Sequence, residues 1–376
     1  MSFRIVFVEL RESLDTEIMN FIFDAHLDMA WNAVEWNRDL TLPVAEINNF
    51  ESQFSRTVPE IGDAVVSWDE LRRGRVGMTI STLLPRLHRK DGALTHYQSR
   101  EAAYGACYGQ LAYYRAMVAA GRLREISDLV SLEDHVAQWE ADQSGEASTL
   151  PVGFILSMEG SPSILSPGQI EEWYNAGLRI LGPAHYGPGP YCMGTGSEGG
   201  LKDGGAELLK EMNRVGMLLD VTHLADQSFW EALDVFEGPV LASHHNCRAL
   251  VPGDRQLDDD QIKELIKRGA VIGAAFDNWM IKPGWVRFKT DPQTVCMADI
   301  VDHIDHICQL AGNAKHCGIG TDLDGGFGKE QCPRDLTTIA DLQQMATLLS
   351  DRGYSDGDVE GIMNRNFLDF FRRAWA

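Results

Sequence analysis

The sequence predicts a (β/α)8 TIM barrel, an architecture of the α/β class, and three observations support it. Eight short apolar runs recur along the 376 residues, and helical patterns lie between them. The runs are continuously apolar, which is typical of parallel strands buried on both faces. Polar residues, often His, Asp or Glu, follow the runs where each strand would end. An open doubly wound sheet is the alternative architecture.

The predicted strands, in chain order, cover residues 21–24, 75–83, 152–157, 178–182, 217–221, 240–243, 270–275 and 317–321. Amphipathic segments between them predict helices at 169–176, 207–215, 259–268 and 297–311. Acidic residues 258–260 precede the third of these helices, where they favour the positive end of its dipole. Gly269 is expected to end that helix as a C-cap.

Four long connections follow predicted strands, at residues 31–73, 85–97, 183–201 and 277–292. Barrels build their binding sites from loops of this kind. Since no linker-like stretch divides the chain, we expect one domain over residues 1–376, with its core at about 21–371.

The composition excludes several classes of partner. Lys and Arg total 33 against 55 Asp and Glu, a formal net charge of −22, which repels phosphate backbones and anionic lipids. We therefore expect no nucleic-acid partner and no membrane partner, and no apolar stretch of about 18 residues suggests a membrane span. The seven cysteines form no Cys-x-x-Cys pair, and their odd number argues against a complete disulfide set. These features predict a cytoplasmic protein.

Histidines and carboxylates stand at the ends of five predicted strands, namely His26, Asp28, Glu159, His223, His244 and Asp322. Strand ends converge on one mouth of a barrel, so we expect these side chains to meet there. Imidazole and carboxylate suit Zn²⁺, and two such ions can share a hydroxide and a bridging carboxylate.

The residues divide naturally between two ions. Residues two apart in a strand point the same way, so His26 and Asp28 can reach one ion. His223 and His244 would hold the other, with Glu159 between the two. Asp322 remains as a proton shuttle. Taken singly, each histidine is as readily a hydrogen-bonded core residue, and Glu159 a helix-start acid.

Several ordered motifs carry a family resemblance: Asp24-Ala-His26-Leu-Asp28-Met-Ala-Trp31, Ser157-Met-Glu159-Gly160, Asp220-Val-Thr-His223, Ser243-His244-His245-Asn246 and Gly318-Ile-Gly-Thr-Asp322-Leu-Asp324-Gly325. The set resembles the renal (membrane) dipeptidase family, peptidase family M19 of the amidohydrolase superfamily. The resemblance implies a barrel of the metal-dependent amidohydrolase type and a binuclear zinc site. It also implies hydrolysis of dipeptides, often with a D-residue at the C-terminal position, and a homo-oligomer, expected to be a dimer.

Residue roles follow from the same resemblance. It implies His26, Asp28, Glu159, His223 and His244 as the zinc ligands, with Glu159 and a hydroxide bridging the two ions. His185 resembles the histidine at the substrate carbonyl, which stabilises the tetrahedral intermediate. Arg255 resembles the arginine that holds the substrate carboxylate, and Asp322 the proton shuttle. We predict Trp31, at the end of the first motif, as a further substrate contact.

Two departures from the family pattern bear on the substrate. A family tyrosine near the substrate carboxylate aligns with Met280, which has no hydroxyl, and the loop 187–200 diverges from mammalian members. We expect a zinc-dependent dipeptidase, also active on L-Xaa–D-Xaa dipeptides, in which a metal-bridging hydroxide attacks the peptide carbonyl. The alternatives are an amidohydrolase acting on N-acyl-D-amino acids or β-lactams, and a catalytically silent binding or scaffold relative.

Overall fold

Eight parallel strands form the barrel wall in the computed structural model, which describes residues 21–54, 61–87 and 96–376. Within these ranges the strands are β1 (Ile22–Leu27), β2 (Val76–Leu83), β3 (Leu123–Glu125), β4 (Val152–Glu159), β5 (Ile180–Gly182), β6 (Leu218–Asp220), β7 (Val240–Leu241), β8 (Ile272–Ala274) and β9 (Cys317–Ile319). The wall runs in the order β7-β6-β5-β4-β2-β1-β9-β8. The predicted (β/α)8 barrel and its eight strands are confirmed.

Strand β3 was not expected from the sequence. It has three residues, two of them charged, and pairs in parallel with the beginning of β4 at residues 152–154, while β5 pairs with the end of β4. Every residue of β1, β2 and β4 is buried, which agrees with their continuous apolar pattern.

The barrel closes where β7 meets β8. The amide of Ala242 donates to the Val271 carbonyl at 3.1 Å, and the amide of Gly273 donates to the Ala242 carbonyl at 2.8 Å. A Cβ atom at Gly273 would lie 2.0 Å from the carbonyl oxygen of Ser243, and one at Gly320 would lie 1.9 Å from it. Glycine at both positions therefore permits the close approach that brings the ends of β7, β8 and β9 together.

Helices pack around the wall. Those found in the described ranges are α1 (Met29–Glu35), α2 (Val44–Glu51), α3 (Trp68–Arg73), α4 (Arg100–Ala119), α5 (Leu129–Ala141), α6 (Ile170–Asn175), α7 (Gly205–Val215), α8 (Asp226–Val235), α9 (Asp259–Lys267), α10 (Asn278–Ile281), α11 (Met297–Ala311), α12 (Gln344–Arg352), α13 (Asp356–Glu360) and α14 (Asn366–Ala374). The four predicted helices are confirmed as α6, α7, α9 and α11. Across the residues described, no helix combines the length and the apolar character needed to cross a bilayer.

The acidic N-terminus of helix α9 forms a capping box. The Asp258 carboxylate accepts from the amides of Asp260 and Gln261, and the Gln261 side chain accepts from the Asp258 amide. This capping box adds directed hydrogen bonds to the dipole effect expected from the sequence. At the other end Arg268 is the C-cap, and Gly269 follows it with a φ of +71°.

The long connections hold folded structure. The connection 31–73 contains α2 and α3. Residues 55–60 of this connection and residues 88–95 of the connection 85–97 lie outside the described ranges. In the loop 187–200, the Gly187 amide donates to the Thr195 carbonyl at 2.7 Å, and the Gly194 amide donates to the Gly187 carbonyl at 3.0 Å. That loop is therefore folded back on itself beside the mouth of the barrel.

Candidate metal centre

Glu159, the last residue of β4, stands between the histidines that the sequence singled out. Its Oε1 lies 3.1 Å from Nε2 of His223 and 3.4 Å from Nε2 of His244. Its Oε2 lies 3.7 Å from Nε2 of His26 and 3.9 Å from Nε2 of His185. The two carboxylate oxygens thus face different histidines, as a bridging ligand would.

His26 lies at the centre of the second half of the cluster. Its Nε2 is 3.7 Å from Oδ2 of Asp28 and 3.7 Å from Oδ1 of Asp322. This nitrogen is buried and has no hydrogen-bond partner among the residues that the structure describes. An orphaned imidazole nitrogen facing carboxylates is what a metal ligand without its ion would leave.

Three overlapping groups bring their ligand atoms within 4.8 Å of one another: His26, Asp28 and Glu159; Glu159, His185 and His223; and His26, His244 and Asp322. The first group matches the predicted set for one ion together with the bridging residue. Nitrogen and oxygen donors in this mixture suit Zn²⁺ and related divalent ions. The donor set therefore fits the metal site expected from the sequence.

The pKa shifts of the charged groups in the cluster also fit a metal site. Burial lowers the pKa of His26, but the carboxylates of Glu159 and Asp28 outweigh it and raise that pKa to about 10. Burial raises the pKa of Glu159 to about 8, and burial also raises the pKa of Asp322 well above its usual value. Several carboxylates thus compete for too little positive charge, a deficit that bound divalent cations would relieve.

Two further imidazoles stay neutral for a different reason. Burial, followed by the positive charge of Arg255, lowers the pKa of His223 well below its usual value. Burial and then His26 do the same for the pKa of His244. A neutral imidazole is the form that binds a metal, so burial keeps both side chains ready as ligands.

Hydrogen bonds to the Asp24 carboxylate, together with one backbone hydrogen bond, hold the ends of β1 and β9 in place. The Asp24 carboxylate accepts from the Thr321 amide at 2.8 Å, the Thr321 hydroxyl at 2.6 Å and the His26 amide at 3.3 Å. The Asp322 amide donates to the His26 carbonyl at 3.3 Å. These bonds position the His26 and Asp322 side chains beside each other.

Two site residues have left-handed backbone conformations. His223 has a φ of +68° and Asp322 a φ of +61°, a region that side chains other than glycine seldom adopt. Such a conformation costs about 1–3 kcal/mol and persists only where the surroundings impose it. The surrounding structure therefore holds both backbones in a conformation that is costly for a residue with a side chain.

A cavity of about 250 Å³ opens above the cluster and has room for a small molecule. Its floor includes Asp28, Glu159, His185, His223 and Asp322, and its walls include Arg86, Tyr186, Asp277, Trp279, Met280 and Gln331. The predicted catalytic residues His185 and Asp322 therefore share one chamber with the candidate ligands. Met280, where we expect a departure from the family pattern, also lies at this wall.

Arg255 and Trp31 lie behind the cavity rather than on its surface. Arg255 is 2% exposed, its Nη2 donates to the His244 carbonyl at 3.1 Å, and its Nε and Nη1 have no hydrogen-bond partner in the described part of the chain. The Tyr186 hydroxyl interacts with Arg255. Trp31 is 3% exposed, and the Arg86 guanidinium lies 5.3 Å from the centre of its ring. Tyr186 and Arg86 are thus the surfaces that a ligand would meet.

Several cavity residues were not expected from the sequence. Arg86 and Asp277 follow the second and seventh predicted strands, so the strand-end pattern that found the histidines could have found them. Tyr186 is next to His185 in the chain. Gln331 carries no such signal, because it lies well beyond the end of β9, in the 3-10 helix Lys329–Gln331; at the cavity wall its Nε2 donates to Asp277 at 2.7 Å.

A (β/α)8 barrel with a buried cluster of histidines and carboxylates at its strand ends is typical of metal-dependent hydrolases. The profile described as membrane dipeptidase (peptidase family M19) matches residues 15–375. The chain therefore belongs to the membrane dipeptidase family, peptidase family M19. The predicted family and the predicted class of enzyme, a metallo-dipeptidase, are confirmed.

Known relatives agree with this assignment. A Schizosaccharomyces pombe protein described as an uncharacterized dipeptidase is 27% identical over 65% of this chain, but the match spans only 57% of that relative. The structure of dipeptidase AC, a metallo peptidase of family M19, is 19% identical, with a TM-score of 0.75, covering 95% of this chain and 99% of that one. A metallo peptidase from Rhodobacter sphaeroides, bound to a phosphinate mimic of L-Ala-D-Ala, is 19% identical, with a TM-score of 0.73 over 95% and 100% of the two chains. At these identities the structures establish a shared fold.

Proposed function

We propose that this chain is a zinc-dependent dipeptidase that binds two Zn²⁺ ions. The observation that carries the proposal is the placement of Glu159, whose two oxygens face different histidines within 3.9 Å. His26 and Asp28 would hold one ion and His223 and His244 the other, with Glu159 shared. When bound, the ions would polarise the peptide carbonyl and make a hydroxide available at neutral pH.

Asp322 would transfer the proton, and His185 would stabilise the oxyanion. Asp322 lies beside the cluster with its Oδ1 3.7 Å from Nε2 of His26, where it can take a proton from the nucleophile and return it to the departing amine. His185 lines the cavity with 21% of its side chain exposed, so it can donate a hydrogen bond to the developing oxyanion.

The free carboxylate of the substrate would bind at the wall formed by Tyr186 in front of Arg255. Arg255 has two guanidinium nitrogens without partners among the residues described, and Tyr186 presents its surface to the cavity. A carboxylate here would accept a hydrogen bond from the Tyr186 hydroxyl and interact with the positive charge of Arg255. A rotation of the Tyr186 side chain would let the carboxylate bind the Arg255 guanidinium directly. Recognition of that carboxylate favours dipeptides over longer chains.

We further propose that the substrates include L-Xaa–D-Xaa dipeptides. The related Rhodobacter sphaeroides structure, with its phosphinate mimic of L-Ala-D-Ala, supports this choice. The single domain, the dimer, the cytoplasmic location and the lack of nucleic-acid and membrane partners remain predictions from the sequence.

Kinetics on a panel of L-Xaa–L-Xaa and L-Xaa–D-Xaa dipeptides, with zinc present, test the proposal. N-acyl-D-amino acids and β-lactams belong in the same panel. We expect dipeptides to have the highest kcat/KM and metal analysis to find two zinc ions per chain. Preference for an N-acyl amino acid or a β-lactam would replace the dipeptide assignment, and failure to hydrolyse any of them would favour a binding role.

A further inference from the structure

Each of the three candidate histidine ligands turns its second ring nitrogen toward a hydroxyl. The Ser243 Oγ lies 2.9 Å from Nδ1 of His244 and 3.4 Å from Nδ1 of His26. The Thr195 Oγ1 lies 3.0 Å from Nδ1 of His223. All three rings therefore present Nε2 to Glu159 and Nδ1 to an alcohol oxygen.

The hydrogen-bonding capacity of a hydroxyl fits this arrangement. A neutral imidazole that binds a metal through Nε2 carries its proton on Nδ1, and that proton needs an acceptor. A hydroxyl oxygen has two acceptor sites, so Ser243 can accept from both His26 and His244. Its own proton then points to the Thr222 Oγ1 at 3.3 Å. Thr195 likewise accepts from His223 and donates to the carbonyl of His223 at 3.4 Å.

The two hydroxyls are held by the barrel and by the loop 187–200. The Asp220 Oδ1 accepts from the amides of Ser243 and Thr222, each at 3.0 Å, and so fixes the two backbones together. The Thr195 amide donates to the His223 carbonyl at 2.9 Å. The loop that diverges from mammalian members is thereby tied directly to one histidine.

We propose that Ser243 is a positioning residue shared by both metal positions, whereas Thr195 positions a ligand of only one. The inference rests on the proposed division of ligands, in which His26 holds one ion and His223 and His244 hold the other. Loss of the Ser243 hydroxyl removes the Nδ1 acceptor on both sides. Loss of the Thr195 hydroxyl affects His223 alone.

The test is stepwise zinc binding to the metal-free full chain, measured by competition with a chromophoric chelator. We expect Ser243→Ala to weaken both binding steps by about 10–100-fold, the usual effect of losing an outer hydrogen bond to a metal ligand. We expect Thr195→Val to weaken one step by a similar factor and leave the other unchanged. Thr195→Ser keeps the hydroxyl and should restore wild-type affinity.

Ser163→Ala is the matched control, because Ser163 is fully buried and its hydroxyl donates to the sulfur of Met158 at 3.2 Å rather than to a candidate histidine ligand. Its zinc affinities should equal those of the wild type. Absorption spectra of the Co²⁺-loaded proteins add a readout of ligand geometry. We expect altered bands in Ser243→Ala and Thr195→Val and unchanged bands in Ser163→Ala and Thr195→Ser.

Wild-type affinities at both steps in a folded Ser243→Ala protein would overturn the inference, as would an equal loss in Ser163→Ala. If Ser243→Ala does not fold, Thr222→Val removes the acceptor of the serine proton. It should then weaken both steps, and unchanged binding would contradict the shared role. A wild-type chain that binds no zinc would instead refute the proposed function, so the two failures are distinguishable.

Discussion

Replacing Tyr186 by phenylalanine tests how the substrate carboxylate is recognised. The Tyr186 ring lies 5.0 Å from the ring of His185 and 4.8 Å from that of His223, measured between centroids. Phenylalanine keeps both ring contacts, so the substitution removes only the hydroxyl, which interacts with Arg255. The candidate metal ligands should stay in place, and zinc content should not change.

The expected magnitude follows from one charge-assisted hydrogen bond. Such a bond contributes about 1.5–3 kcal/mol, which corresponds to roughly 10–150-fold in affinity. We expect Tyr186→Phe to raise KM for dipeptides by a factor in this range, with a smaller change in kcat. Dipeptide amides, which have no free carboxylate, should be hydrolysed equally by the variant and the wild type.

Tyr191→Phe is the control in the same loop. Its hydroxyl donates to the Ile164 carbonyl at 2.7 Å and accepts from Arg100 at 2.9 Å, away from the cavity that holds the metal cluster. Its KM for dipeptides should match the wild type. If Tyr186→Phe leaves KM unchanged, or raises it equally for dipeptides and their amides, the tyrosine does not contact the carboxylate.

The other predictions concern the proton shuttle, the metal and stability at acid pH. Asp322→Asn should retain zinc while kcat falls by about 10²–10⁴-fold, the usual contribution of a general acid–base group, and near-normal turnover would remove it from the mechanism. Removal of zinc by a chelator should abolish hydrolysis and lower the Tm, since ligand binding adds stability, and added zinc should restore both. Burial lowers the pKa of His135 to about 4, so the neutral side chain is favoured in the folded state. Its contribution to the free energy of unfolding is fully present above pH 6.5 and is lost as the pH falls towards 4, a total of roughly 3 kcal/mol. His135→Gln should reduce the pH slope of the free energy of unfolding in that window, and an unchanged slope would show that His135 is protonated in the fold.

The barrel could be predicted because each wall strand is buried on both faces and so carries a continuous apolar run. Strand β3 has no continuous apolar run, because it is three residues long and two of them are charged, so this pattern did not predict it. Its conformation depends on pairing with the beginning of β4, a contact that no local pattern records. Amphipathic periodicity predicted four of the helices, and one of them, α11, has the predicted bounds, Met297–Ala311.

The candidate site was predictable to the extent that it lies at strand ends. His26, Asp28 and Glu159 belong to the ends of β1 and β4 or follow them directly, so the barrel geometry alone implies that they converge. The exposure of Arg255 could not be predicted in the same way. A motif identifies the residue, but only the packing of Tyr186 shows that the guanidinium lies behind the cavity wall.

The sequence by itself determined the fold class, the family and the types of side chain at the mouth of the barrel, because strand periodicity and strand ends are local features. The tertiary structure alone decided which partner each of those side chains has. Ser243 adjoins His244 in the chain but reaches His26 only because the barrel closes, and Thr195 meets His223 only because the loop 187–200 folds back. Such contacts join residues far apart in the chain, and their geometry depends on the packing of the whole barrel.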